Sequence, residues 1–256
     1  MQNQSNLVAV TTIQYGIRTT GAARVRAEVF LDTASELHKL AIPCVAIVRE
    51  CSPAYLRKVR RKGVIIIPQE GQGMAESRKE AIKAGVNQFP RANHYLWLEP
   101  EKPDLPRCAL LLSRRMTTER AALGLFNRTL KSMSTYPTEQ RLLYDFCRTI
   151  ASRILGCDID YAFGPMILTR DTLPFFLGYD GEYGNRWNSI LIPRLRVIHS
   201  CLKVVFLPVL FRNDQRIYNA ENGDIKFLLK RFDQFNEIIP ALISEWRRLY
   251  LTHKSI

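Results

Sequence analysis

Glu99 and Glu101 stand one residue apart in "HYLWLEPEK", residues 94–102, where an apolar run ends in two acids bridged by a proline, with Lys102 behind them. In extended backbone, side chains at i and i+2 point to the same side. Pro100 favours that extended conformation for Glu99. Two carboxylates delivered together suit a hard divalent cation, and acids inside a basic cleft make sense when a cation and phosphates sit between them. The plainer alternative is a solvent-facing loop, "EPEKPDLP", stiffened by three prolines.

Other segments must position these acids. "NLVAVTTIQ", "IPCVAIVRE", "VIIIP" and "HYLWLE" read as four continuous apolar strands. Between them, residues 22–39, "SPAYLRKVRRKG" and "GMAESRKEAIKAG" carry helical spacing. Ser52 is the expected N-cap, with Pro53 in the first turn and Gly63 as the stop, and Gly85 closes the third helix. Strand–helix alternation of this kind predicts an α/β fold: a mostly parallel central sheet with helices on both faces. One domain is expected over 1–256, with a nucleotide-binding half, 1–105, and an acceptor half with C-terminal helices, 106–256. In such sheets ligands gather beyond the carboxyl ends of the strands. Thr11, Thr12 and Gln14 follow the first strand, and Arg49, Glu50 and Ser52 the second. Gln69, Gly71 and Gly73 follow the third, and Glu99, Glu101 and Lys102 the fourth. The second half is less regular. Helices are expected over 117–132 and 137–155, then a strand and short helix in "YAFGPMILTRDTLPFFL", a strand in "LKVVFLPVLF", and a long terminal helical region interrupted at Pro240.

Composition narrows the partners. Lys and Arg total 37 against 24 Asp and Glu, a net charge of +13 that favours anionic ligands. Hydrophobic residues at 46% and charged residues at 24% are ordinary for a soluble globular protein. The six cysteines form no CxxC pair and no zinc-like spacing with the histidines, so they read as reduced thiols of a cytoplasmic protein. The start, "MQNQSNLVAV", has no basic leader region, and no window reaches the roughly 18 apolar residues of a membrane span. "YLRKVRRKG" is a solvated helix face or a contact for an anionic membrane surface or RNA. "LSRRMTTER" and "KRFDQ" are surface helix or phosphate clamps. No P-loop, G-x-S-x-G elbow or Rossmann glycine fingerprint follows a strand.

The order of these features resembles the nucleotide-diphospho-sugar glycosyltransferases of the GT-A fold, especially the family-2-like group, over roughly residues 7–209. In that family an acid and a serine after the second strand read the nucleobase, which "VRECS" matches through Glu50 and Ser52. A G-x-x-x-A-R-N-x-A helix follows the third strand; "GQGMAESRKEAI" supplies Gly71, Gly73, Arg78 and Ala81, with Lys79 where Asn is usual. The family's D-x-D stands here as "EPE". The resemblance thus implies Mg or Mn held by Glu99 and Glu101, a nucleotide-sugar donor bound by Thr11, Thr12, Glu50, Ser52, Gly71, Gly73, Arg78 and Lys102, and an unidentified acceptor open to being anionic. Glu is one methylene longer than Asp, so "EPE" would hold the ion differently or leave the charge to Lys102 and Arg78. The acidic pair that serves inverting members as base is replaced by Trp187 and Asn188. The nearest acids are Asp180 and Glu182 in "GYDGEYG", and either is a candidate base; a retaining reaction would need none. Trp187 is a candidate sugar platform or a core residue. Two other readings stand: a sugar nucleotidyltransferase, whose glycine loop "TTIQYGIRTTG" would be poorly spaced, and a nucleic-acid-binding or scaffold module on a decayed transferase fold. The resemblance disfavours nucleic acid as a partner.

Overall fold

The computed structural model describes residues 6–18 and 20–253, so residues 1–5, part of the stretch read above for a leader, fall outside it. Three β-strands, Leu7–Ile13 (β1), Cys44–Val48 (β2) and Val64–Pro68 (β3), run parallel. Between them lie helices Gly21–Lys39 (α1) and Pro53–Arg61 (α2), and Gly73–Gln88 (α3) follows β3. Ser52 caps α2 by accepting from the Tyr55 amide, with Pro53 in the first turn, as expected. His94–Trp97 (β4) joins β1 on its other side, also parallel.

From there the chain continues through helix Leu105–Glu119 (α4), strand Leu123–Arg128 (β5), the short helix Leu130–Met133 (α5) and helix Thr138–Leu155 (α6). Met166–Leu168 (β6) follows, then Leu173–Leu177 (α7), Asn188–His199 (α8), Val204–Val209 (β7), Gln215–Glu221 (α9) and Ile225–His253 (α10). The sheet order is β3-β2-β1-β4-β6-β5-β7, with β6 antiparallel to both its neighbours. The mostly parallel sheet with helices on both faces is therefore present.

Alternation along β1 shows why the sheet is covered twice. Ala9 and Ile13 face one core with Phe30, Ala34 and Leu37 of α1 and Leu112 of α4. Val8 and Val10 face the other, with Ala81 and Ile82 of α3 and Leu191 and Leu195 of α8. Each large apolar side chain so buried contributes about 1.5–3 kcal/mol.

Three expected elements are corrected. The helix placed at 117–132 is the end of α4, all of β5 and α5. Arg120, in left-handed backbone, ends α4, and "LGLFNR" is buried on both faces as a strand between β6 and β7. Gly85 does not close α3; the helix runs on to Gln88, and a Cβ at Gly85 would collide with Val10, so the glycine lets helix and sheet approach closely. Nor does Pro240 interrupt the terminal helix: α10 continues through it, packed against α6 and α8, which hold a helix that has lost one backbone bond.

Candidate functional site

Beyond the carboxyl ends of β1, β2 and β4 lies a cleft of about 540 Å³. Its floor is Thr12, Ile47 and Trp97; α3 supplies Ser77 and Arg78, and the start of α8 supplies Trp187 and Ile190. The far wall is assembled from Arg26 of α1, Gln140 and Tyr144 of α6, and Lys230, Arg231 and Gln234 of α10. Among the described residues, seven cationic side chains and three carboxylates line it, and both Glu99 and Glu101 are among the latter.

The acids do not sit side by side in extended backbone. Past β4 the Lys102 amide donates to the Pro100 carbonyl (3.1 Å) and to Thr33 Oγ1 (3.1 Å), a tight turn centred on Glu101. Each acid therefore has its own partner. Glu101 Oε1 accepts from the Tyr15 hydroxyl at 3.0 Å. Glu99 Oε2 lies 3.3 Å from the Lys102 ammonium, and its Oε1 rests against Gly164, where an added Cβ would meet it at 2.5 Å. Burial opposes the Glu99 charge, but Lys102, then Arg128 and Arg78, hold its pKa below the ordinary carboxylate value. Burial likewise opposes the Lys102 charge, and the groups around it, Tyr136 and Glu99 first, keep its pKa above the ordinary value.

Gly164 is positioned by a buried ion pair. Arg128, at the end of β5, donates to both Asp160 oxygens (2.6 and 2.9 Å), and both side chains are almost fully buried. The guanidinium lies over the rings of Tyr136, Tyr144 and Phe163. This clamp pins the segment before β6 beneath the cleft.

Cations crowd the wall opposite the strand ends. Arg26 pairs with Glu221, and Arg231 lies 3.6 Å from the same carboxylate. Burial, then the neighbouring Arg26 and Arg231, depress the Lys230 pKa to about 8, against the pull of Glu221 and Glu101. Arg78 reaches across to α8, donating to the Arg186 carbonyl and to Ser189 Oγ (2.7 Å); burial lowers its pKa to about 10 despite Glu99 and Glu237. Arg78 Nε and Trp97 Nε1 are buried donors with no hydrogen-bond partner, on residues that line the cleft. Such orphaned donors are costly without a ligand.

The sequence candidates divide by placement. Thr12, Gly73, Arg78, Glu99, Glu101 and Lys102 line the cleft. Thr11 does not: its hydroxyl is buried in the sheet, donating to the Leu98 carbonyl at 2.6 Å. Glu50, in left-handed backbone, is at the rim, where its carboxylate accepts from Gln14 (3.0 Å) and Arg49 (3.1 Å), both cleft residues. Ser52 is occupied as the α2 cap, and the Gly71 amide donates to Glu80. Asp180 and Glu182 are outside the lining; Glu182 pairs with Arg196, and Asp180 accepts from the Glu182 amide at 3.3 Å. Asn188 is fully buried and donates to the Tyr183 and Glu237 carbonyls, so it anchors α8 to α10. Of the later basic stretches, Lys230 and Arg231 reach the cleft, whereas Arg115 is held by Glu119 and the Phe206 carbonyl. Sequence reasoning missed Arg26, Tyr15 and Arg186. Arg26 did carry a signal, since it shares the stripe of Ala23, Phe30 and Leu37 that α1 turns inward.

As arranged here, the two acids do not form a preassembled divalent metal centre. Among the described residues no three His, Cys, Asp or Glu side chains converge so as to hold an ion, and Glu99 and Glu101 are separately engaged by Lys102 and Tyr15.

No family model matches the chain, and no curated protein matches it in sequence. Solved structures do. One is a Mycobacterium tuberculosis glucosyl-3-phosphoglycerate synthase in complex with UDP: TM-score 0.55, 13% identity, 88% of this chain and 79% of that one. Mannosyl-3-phosphoglycerate synthase from Rubrobacter xylanophilus gives 0.52 at 10% identity, covering 91% and 75%. The chain has a nucleotide-diphospho-sugar transferase fold. That is the GT-A architecture the motif order implied. The Mycobacterium tuberculosis enzyme has also been solved with Mn2+, UDP and glucosyl-3-phosphoglycerate. In the present chain no helix among the described residues is long and apolar enough to cross a membrane.

Proposed function

We propose that the chain is a glycosyltransferase, moving a sugar from a nucleoside-diphosphate donor to a hydroxyl-bearing acceptor. The observation that carries this reading is the cationic cleft at the strand ends of a transferase fold, with unpartnered donors on Arg78 and Trp97 and acids 99 and 101 in its wall. The nucleoside lies towards Thr12, Gln14 and Arg49, where Glu50 organises the rim, and the diphosphate lies beside Lys102. Trp187, its ring covered by Arg186 at 4.0 Å, borders the sugar and acceptor end.

In the reaction, the bond from the anomeric carbon to the diphosphate oxygen breaks and its electron pair stays on that oxygen. The acceptor oxygen forms the new bond and loses its proton to solvent. Negative charge grows on the leaving diphosphate, and preorganised cations in a part-buried site stabilise it where it grows. An anionic acceptor suits the same cleft, with Arg186 and Arg78 at that end to meet it; the mycobacterial enzyme has been solved in complex with phosphoglyceric acid. The reading also implies action in the cytoplasm, where nucleotide sugars are available, with peripheral membrane contact through the basic face of α2 as an option.

Calorimetry with uridine, adenosine, guanosine and cytidine diphosphates tests the donor site. At least one is expected to bind and to protect the fold thermally, and slow release of that nucleotide from the matching sugar donor should follow. No binding by any of them, with or without Mn2+, removes the proposal.

A further inference from the structure

We infer that the countercharge for the leaving diphosphate is built into the chain: Lys102, flanked by Arg26 and Lys230, stands in for a divalent cation, so that the nucleotide binds and reacts without metal. The inference rests on the donor reading above and deepens it.

Three observations lead to it. First, the turn at 100–102 separates the two acids, giving Glu101 to Tyr15 and Glu99 to Lys102. A metal at Glu99 would have to compete with an ammonium already 3.3 Å from Oε2. Second, Lys102 is fixed rather than free. Its amide is held by Thr33, its side chain is only 12% exposed, and its ammonium lies 5.1 Å from the Phe211 ring centre. Both carboxylates favour its charge, Glu99 ahead of Glu101. Third, the lining carries an excess of four positive charges over its carboxylates. Such a cleft repels a free divalent cation and attracts the diphosphate.

The test uses the full chain, stripped of metal by chelation and dialysis, with the four nucleoside diphosphates as probes. The preferred nucleotide is expected to bind in chelator within about threefold of its affinity in Mn2+, and Mn2+ alone is expected to give no binding heat. Lys102→Met should weaken nucleotide binding by about tenfold or more, a loss of roughly 1.4 kcal/mol. The same variant frees Glu99, so its remaining binding should become stronger with Mn2+, which a merely structural role for Lys102 would not produce. Lys102→Arg should retain metal-free binding. Should Lys102→Met fail to fold, Arg26→Met and Lys230→Met carry the same test, each weakening metal-free binding severalfold. Nucleotide binding that requires Mn2+ in the unaltered protein overturns the inference and leaves the donor reading standing. Failure of all four nucleotides in both conditions overturns both.

Discussion

At Gly164 a hydrogen in place of a methyl group decides where Glu99 can lie. No unusual backbone angle requires glycine there; the constraint is the carboxylate oxygen that would sit 2.5 Å from an added Cβ. Gly164→Ala should therefore leave the melting temperature nearly unchanged, because the displaced atom ends a flexible side chain. It should alter nucleotide affinity severalfold by moving Glu99 off Lys102. A large drop in melting temperature with unchanged affinity would show that the contact is only packing. Lys230 supports a second prediction through its pKa of about 8. The groups facing it are Arg26 from α1, Arg231 from α10, Glu221 from α9 and Glu101 beyond β4. Being protonated below about 8 and depressed from 10.5, its charge costs stability in the free protein at neutral pH, a cost relieved as pH rises through 8. A bound diphosphate reverses that preference and favours the ammonium. Nucleotide binding should take up a proton near pH 8 and weaken as pH climbs past it, read as buffer-dependent heat in calorimetry. Lys230→Met should abolish both effects.

At the scale of elements, the site depends on a clamp that contributes nothing to the cleft surface except Glu99's stage. The Arg128–Asp160 pair joins the end of β5 to the segment carrying Gly164. Removing one partner leaves the other charge buried and unpaired, at a cost of about 3–5 kcal/mol. Arg128→Met should thus lower the melting temperature by roughly 10 °C, taking about 2–4 °C per kcal/mol for a chain of this size; a drop of a degree or two would mean water reaches Asp160. This pair also shows what the sequence conceals. The first four strands were legible because each is a continuous apolar run between turn signals, and the polar residues at their ends followed directly. Glu99, Glu101 and Lys102 were found that way, and Arg78 through the helix pattern that the family resemblance supplied. Arg128 and Asp160 lie 32 positions apart, and nothing local marks them as partners. The misplaced helix at 117–132 has the same root: β5 is a strand because β6 and β7 flank it, not because "LGLFNR" excludes a helix. Sequence alone leaves Lys230 and Arg231 open between a surface helix and a phosphate clamp; in the fold, with α10 packed against α6, they line the cleft.

Over the whole molecule, a net charge of +13 surrounds a cleft whose lining is itself positive. Two contributions to nucleotide capture then separate by their response to salt. The long-range field steers an anion towards the opening and is screened beyond a Debye length, about 10 Å at 0.1 M ionic strength and about 3 Å at 1 M. The short-range pairs inside, with Lys102 at 12% and Arg231 at 13% exposure, are screened much less. Raising salt from low to molar concentration should accordingly slow association of the preferred nucleoside diphosphate by about tenfold or more, while dissociation changes far less. Stopped-flow kinetics across a salt series measures both rates. If dissociation carried most of the dependence, the interior cations would have to be open to solvent, and the part-buried cluster of Arg26, Lys102, Lys230 and Arg231 could not hold the diphosphate in the way its geometry requires.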